Sequence, residues 1–548
     1  MLKKINIMLL MIAIILTSSS CEDEFLENSP TDAISQADAL ATTANMKLIL
    51  NGLHRFLYAQ PQTLISGTTS FRSGNHYFIP LGDNIPGGVI HTAPANNLGW
   101  QGETRWTSHT QETSNTSEQL WFQRYHVIGS VNNIIDQIEN SDFPDDGELR
   151  EILGQAYTYR AWAYHSLVTH YAKGYLIGNP SSDPGVPILL KSESPFSSAP
   201  RSSVEDVYTQ ALNDIDRAID FFDGANQRCT GDPSCKSQLN IDVAYGVKAR
   251  IALNKGEWQT AIDAAKKARE NFPLMGEDDY KKGFNSNNLP EVIWGSNVIT
   301  TETVFFRSYF YLMSNTFNGS QVRNNPKIID KRLFNKIPDT DYRQDLFLPN
   351  APNSNFSASN GQGGFGNDPN FTDEAVFDST IVALRNTYGW TSRHNTHPFM
   401  HVKFKQKVPG GIEPDDIIYM RTSEMYLIEA EAEAMLNNIS NAQDALKTLV
   451  EERDSAYDVT AFSTQQSLME EIKFQRKLEL WGEGFLYSDK IRWDEGVDHA
   501  ADGGSGASEI LYQDGFFQEK PSVNDEWIFK IPQREIDANP NIGPGDQN

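Results

Sequence analysis

The feature that most constrains this chain is a helical period: Val204, Val207, Tyr208, Ala211, Leu212, Ile215, Ala218, Ile219 and Phe222 keep one apolar face for about five turns of helix. Only a helix packed on another apolar surface buries such a stripe. Two more helices precede it, one through Leu120, Ile128, Val131, Ile134, Ile135 and Ile138, the other through Ile152, Ala156, Tyr159, Ala163 and Leu167, with Gly174 and Pro180 ending that stretch. Two helical hairpins follow. In the first, Val243, Val247 and Ile251 lead to a turn at Asn254-Lys255-Gly256 and on to Trp258, Ala261, Ile262, Ala265 and Ala268. In the second, Met425, Ile428, Ala432 and Met435 lead through Asn437-Asn438 to Ala442, Ala445, Leu446 and Leu449. The small-residue turns look like those of tetratricopeptide hairpins, where alanines let helices approach closely. The fold class is therefore mostly α, with helical scaffold over 31–60, 118–272 and 417–495. Two long stretches of weak period, 60–116 and 275–415, are rich in Gly, Asn, Ser, Thr, Pro and aromatics. Their aromatic content predicts ordered loops carried on that scaffold.

The N-terminus reads as an export signal. Lys3 and Lys4 precede an apolar run from Ile7 to Leu16, then Ser18, Ser19, Ser20 and Cys21. The run is too short to span a bilayer, so residues 1–20 are predicted to be a signal peptide. The mature chain is then a single domain over 21–548, with Cys21 carrying an acyl anchor of the palmitate type at a membrane face. Of the remaining thiols, Cys229 and Cys235 are expected to close a small disulfide loop, as suits an exported protein. The balance of 46 Lys+Arg against 72 Asp+Glu, a formal net charge of −26, disfavours nucleic acid, anionic headgroups and polyanionic ligands in general unless a local basic patch overrides the field.

No constellation of catalytic or metal-binding residues stands out. Gly361, Gly363 and Gly366 satisfy a glycine-rich spacing, but no strand precedes them and Asn367-Asp368-Pro369-Asn370 follows. His394, His397 and His401 have helical ligand spacing interrupted by Pro398. The acidic pairs Asp145-Asp146, Asp278-Asp279 and Asp415-Asp416 lack a calcium loop's alternating oxygens and read as caps or turns. The expectation is a protein that is not an enzyme and needs no metal or cofactor.

Five segments in order carry a family resemblance: Arg160-Ala-Trp-Ala-Tyr-His-Ser-Leu-Val-Thr-His-Tyr-Ala-Lys-Gly174, Tyr419-Met-Arg421 through Ala432, Arg453-Asp454, Ile472 through Trp493, and Ile531-Pro532 through Asn539-Pro540. Together they resemble the SusD/RagB family of outer-membrane nutrient-binding lipoproteins. Gln475, where the family often has glutamate, and Trp481-Gly482 depart from its pattern locally. The charged residues of these segments, Arg421, Glu424, Glu429, Glu431, Arg476, Glu479, Glu483 and Arg492, are expected to form ion pairs between helices rather than to do chemistry. Glu22, Asp23 and Glu24 resemble the tag that directs such lipoproteins to the outer face of the outer membrane.

The resemblance implies capture of an oligosaccharide or polysaccharide nutrient, passed to a SusC-type TonB-dependent transporter. Peptide capture in the RagB manner, or a surface scaffold with no small ligand, are the other readings. Sugar capture needs flat rings edged by polar groups. One wall is predicted from Arg72, Asn75, His76, Tyr77, Asp83, Asn84, Asn97, Trp100 and Trp106, and a second from Tyr309, Tyr311, Tyr388 and Trp390. The competing reading of any one of these aromatics is that it packs its loop onto the helices. Trp121, at a helix start, reads as core.

Overall fold

A computed structural model describes residues 36–60, 62–65, 68–70, 72, 74–92, 98–191, 198–225, 233–354, 363–499 and 516–548. The signal stretch, Cys21, Asn97, Cys229 and Gly361 lie outside the described residues. Compactness divides the chain into residues 1–49 and 50–548, the boundary falling inside helix α1 (Thr43–Phe56).

Helices dominate, as the apolar periods predict. After α2 (Asn75–Asn84) come α3 (Asn115–Glu139), α4 (Gly147–Tyr171), α5 (Val204–Ala225), α6 (Ile241–Lys255) and α7 (Trp258–Ala268). Each of α3 to α7 packs on the next. The α5 stripe is buried from Val204 to Phe222, and α4, flanked by α3 and α5, buries most of its circumference. Both hairpins form where their turns predict. α6 ends at Gly256, whose φ of 82° is accessible to glycine at no steric cost. The second hairpin joins α10 (Thr422–Met435) to α11 (Ile439–Val450) through Asn437, at φ 60°. α10 also packs on α7 and on α12 (Gln465–Glu479), continuing the stack, and α13 (Leu486–Trp493) follows. Of the acidic pairs read as caps or turns, Asp145-Asp146 acts locally, whereas Asp416 is buried and accepts the Asn287 and Val298 N–H groups of a distant segment at 3.2 and 3.0 Å. Asp146 caps α4 by accepting the Leu149 N–H at 2.9 Å, and Asp145 pairs with Arg150 at 2.7 Å.

The two aperiodic stretches hold more regular structure than their sequences suggest: α2, the short α8 (Tyr309–Met313) and α9 (Glu374–Tyr388) lie within them. A small antiparallel sheet in the order Ile90–His91, Lys327–Ile328, Met400–His401, Phe347–Leu348 ties one stretch to the other. A second pair, Val292–Ser296 with Ile417–Arg421, leads directly into α10. Cys235 is disulfide-bonded. Among the described residues no helix is long and apolar enough to cross a membrane.

A buried charge cluster joins these parts. The Glu479 carboxylate accepts from Arg343 at 2.9 Å, Arg421 at 2.7 Å and Arg453 at 3.3 Å. Arg421 also grips Glu483 at 2.7 and 2.8 Å, Arg343 pairs with Asp341 at 2.6 Å, and Arg453 reaches Glu291 at 3.3 Å. Lys403 donates to the Glu479 and Trp481 carbonyls at 2.9 Å and to Glu483 at 2.6 Å. Burial opposes charge on Glu479, yet Arg453, Arg421 and Arg343 hold its carboxyl well below the usual range. Gln475, the departure from the family pattern, accepts from Arg343 at 2.6 Å. A second set fixes α13: Arg492 grips Glu431 at 2.7 and 2.9 Å, and Asp489 takes Arg476 at 2.7 Å. Arg250 holds Glu424 through two 2.7 Å bonds, and Arg269 holds Glu429. The expected ion pairs between helices are therefore present.

Two predictions follow from this burial. Glu479→Gln leaves three guanidiniums facing a neutral amide, which is expected to cost about 3–5 kcal/mol, read as a lower urea midpoint at unchanged slope. The second concerns acid. Burial pushes His54, His165, His170, His109 and His397 down to about 4, 3, 4, 3 and 4 from 6.5. Below pH 6.5 the unfolded chain takes up protons that these folded residues refuse, so stability falls as pH drops toward 4. Asp83 and Asp415, raised by burial to about 7 and about 6, and Glu291 and Glu471, raised in the same direction, act oppositely. His91, His394, His401 and His499, also lowered by burial, join the five histidines and outnumber them. The melting temperature is expected to be lower at pH 5 than at pH 7.

Candidate functional site

The predicted site residues divide between packing and surface. Tyr77 stacks on Trp100 with centroids 4.5 Å apart, and its hydroxyl donates to the buried Glu103 at 2.7 Å. Trp106 donates from its indole to the Ile85 carbonyl at 2.9 Å and meets Trp527 edge-on at 4.8 Å. Tyr309 donates to the Gly482 carbonyl at 3.2 Å and packs edge-on against Phe404. Asn75 and His76 are buried as well. Asp83 accepts the Gly484 N–H, and Asn84 accepts from His91 at 2.8 Å. Trp121, as expected, is core.

Aromatics in polar loops are the chemistry a sugar site uses, which is why the sequence predicts a ligand wall from these rings. In the structure Asn75, His76, Tyr77, Trp100, Trp106, Tyr309, Tyr311 and Trp390 are buried and hold the loops down, while Arg72 and Tyr388 stay half-buried. The packing reading thus describes most of the set.

The structure does bring the two walls together, through α8, which packs on α2. Tyr388 stacks on Trp390 at 5.1 Å, and Trp390 on His394 at 6.1 Å. The His394 Nε2 meets the Phe317 carbonyl at 3.2 Å. Phe317 meets Tyr311 at 5.5 Å, and Tyr311 meets Phe306 at 5.2 Å. Arg307 lies over Phe306 at 5.6 Å and runs against Gly99, where a Cβ would come within 2.8 Å of its guanidinium. Arg72 donates to the same Gly99 carbonyl at 3.3 Å. A continuous ledge of rings therefore links residues 72–100 to 388–394.

The exposed part of this ledge was not singled out by sequence. Val304 and Phe305 are 39% and 46% exposed, beside half-buried Phe306 and Arg307 and the exposed Gln321, which accepts the Tyr311 hydroxyl at 2.5 Å. A 370 Å³ groove borders the same loop, lined by Asn51, His54, Arg55, Tyr58, Ile299 and Glu302 among others. Glu302 is held there by Arg55 at 3.1 Å and by the Tyr58 hydroxyl at 2.9 Å. Its size falls within the range of small-ligand clefts. The run Val304-Phe305-Phe306-Arg307 carries a signal in hindsight, since two rings and a cation in a loop have no helix face to join.

His401, His397 and a further cavity are engaged by local contacts. His401 meets the Met313 carbonyl at 2.8 Å and His397 the Pro398 carbonyl at 2.9 Å. Among the described residues no cluster of His, Cys, Asp and Glu is arranged to hold a metal ion. A 570 Å³ cavity between α12 and the strand Val497–His499 is lined by matched charges, Lys473 and Lys477 meeting Glu495 at 2.9 and 2.7 Å.

Core and ledge respond differently to truncation. Trp100→Ala is expected to cost about 3–5 kcal/mol of stability by leaving a cavity under Tyr77. Phe305→Ala is expected to stay within about 0.5 kcal/mol of the parent. Thermal melts of both variants check this.

Comparisons with known proteins agree with this architecture. Residues 306–548 match a family model described as the SusD family, and residues 87–253 match one described as starch-binding and associating with the outer membrane. A SusD-like protein of Formosa agariphila is 23% identical over 527 residues, covering 90% of this chain and 92% of that one. Among solved structures, a SusD-like carbohydrate binding protein from Bacteroides vulgatus superposes with a TM-score of 0.71 at 23% identity, covering 92% of this chain and 98% of that one. Surface glycan-binding protein A from Bacteroides fluxus gives a TM-score of 0.61 at 15% identity, covering 91% and 97%.

Proposed function

The chain belongs to the SusD/RagB family, and from that premise we propose that it is a non-enzymatic surface lipoprotein that captures a glycan on the 304–307 ledge and its adjoining groove. The single observation that carries this reading is the exposed Phe305 with the half-buried Phe306 beside a groove with polar walls. Flat rings cover the C–H face of a pyranose, and the Gln321, Tyr58 and Arg72 side chains offer partners to its hydroxyls. The buried rings Tyr77, Trp100, Tyr311 and Trp390 support the ledge from below, so the site is held rigid before ligand arrives.

In this reading residues 1–20 are removed on export, and Cys21 anchors a single domain over 21–548 to the outer leaflet of the outer membrane. A loop disulfide joins Cys229 to Cys235. The bound glycan passes to a SusC-type TonB-dependent barrel, and the helical stack supplies the body that docks on that partner.

Phe306→Ala is expected to weaken glycan binding about tenfold, equivalent to about 1.4 kcal/mol, with an unchanged melt. Calorimetry against soluble plant, algal and bacterial polysaccharides checks this, and silence of the parent protein toward all of them defeats the reading. For the anchor, Cys21→Ala is expected to move the protein from the membrane fraction to the soluble fraction, read by fractionation and immunoblot.

A further inference from the structure

The ledge differs in sign from the molecule that carries it. The chain has a net charge of −26, yet its loop segments 297–325 and 385–396 contain Arg307, Arg323, Arg385 and Arg393 against the single carboxylate Glu302. Glu302 is already engaged by Arg55 and Tyr58. Among the described residues, none of these four arginines has a carboxylate at ion-pair distance. Arg307 rests on the Phe306 ring, at 5.6 Å, and is half-buried beside Arg72. Arg323 spends one nitrogen on Asn318, at 2.8 and 3.1 Å. Arg385 donates to the His394 carbonyl at 2.6 and 3.1 Å.

The cations are also grouped. Arg323 and Arg385 both face His394: the Asn395 N–H donates to the Arg323 carbonyl at 2.9 Å, and Arg385 holds the carbonyl next door. Both help to keep that histidine uncharged, after burial, at about 4. At the other end Arg72 and Arg307 flank Gly99, and Arg72 is paired with Glu103 only at 3.9 Å. Burial and Arg72 together lower the Arg307 pKa from its ordinary value, a position that an incoming anion relieves. A half-buried guanidinium without a counter-ion is costly. Retaining several along one ring ledge is understandable if the ligand completes them.

Resting on the glycan reading above, we infer that the glycan taken by the ledge is acidic, with carboxylate or sulfate groups engaging Arg307 at one end and Arg323 at the other. Guanidinium forks match both anions in bidentate geometry, while Phe305 and Phe306 take the ring faces between charges. The overall negative charge does not forbid this, because it is screened beyond about 8 Å at physiological salt.

The test is calorimetric binding of the mature protein to polygalacturonate, alginate, chondroitin sulfate and carrageenan, each beside its carboxyl-reduced or desulfated form. The expected result is that at least one acidic polymer binds about tenfold or more tightly than its neutralised form, with affinity falling as salt rises. Arg307→Gln and Arg323→Gln are each expected to lose most of that difference with the melting temperature unchanged. The uronate and sulfate arms separate the two anion types. Equal binding of charged and neutralised forms, no effect of either substitution, or binding confined to neutral glycans overturns the inference and leaves glycan capture standing. Silence toward every glycan, acidic and neutral, overturns both.

Discussion

Three guanidiniums converge on one carboxylate, Glu479, and the rest of the molecule is arranged around that meeting. Arg343, Arg421, Arg453 and Lys403 face Asp341, Glu291, Glu479 and Glu483, so the buried group is neutral as a whole. The members come from six distant parts of the chain: the start of the strand Val292–Ser296, the turn after residue 340, the segment after the strand Met400–His401, the strand leading into α10, the end of α11 and the end of α12. An apolar core of equal volume would hold these segments with less desolvation cost. What the charges add is position, since each guanidinium accepts only a narrow set of partner geometries. Lys403 lies two residues beyond the strand Met400–His401, and through it the cluster is coupled to the small sheet that joins the two irregular stretches. The ring ledge is built on those same stretches, so a buried ion cluster supports it from within.

The helical stack was legible because burial writes a period into sequence. Each of α3, α4, α5, α6, α7, α10 and α11 packs one or more faces on neighbours, and the apolar spacing follows. α9 was illegible for the same reason: only Phe377 and Ile381 are buried on it, and two residues make no period. The motif charges were legible as ion-pairing residues, but their partners were not. Arg476 meets Asp489, Arg492 meets Glu431, and Glu291 and Arg343 entered the central cluster from segments with no motif around them. Partner choice in such clusters depends on how distant segments are brought together, which a local pattern does not encode.

For the candidate site, residue type was legible and depth was not. Tyr77, Trp100, Trp106, Tyr309, Tyr311 and Trp390 are aromatics in polar loops, and the chemistry that suits a sugar equally suits pinning a loop to a helix. A long irregular segment has little else with which to bury area, so its largest rings go inward first. What stays outside is the surplus, and here it is Val304, Phe305, Phe306 and Arg307. Arg307 adopts φ 60° while Phe306 leans on Tyr311. A positive φ at a non-glycine residue is a conformation that surroundings must enforce. Its occurrence at the cation on the ledge, rather than at a neighbouring threonine, is consistent with a side chain placed for contact.

Net charge, finally, is a property of the scaffold more than of the site. α5 alone carries Glu205, Asp206, Asp214, Asp216, Asp220 and Asp223 against Arg217; Asp214 is buried against Arg160, and the others keep a large apolar helix soluble on its outer face. Their field is largely screened beyond about 8 Å in physiological salt. At the ledge the local balance therefore decides, and there, among the described residues, Arg307, Arg323, Arg385 and Arg393 have no carboxylate at ion-pair distance. A cationic peptide, attractive for a chain of charge −26 considered as a whole, meets like charge at the surface where Phe305 and Phe306 are offered. The same surface has complementary charge for an anion, which makes the sign of the ledge a better guide to its ligand than the sign of the protein.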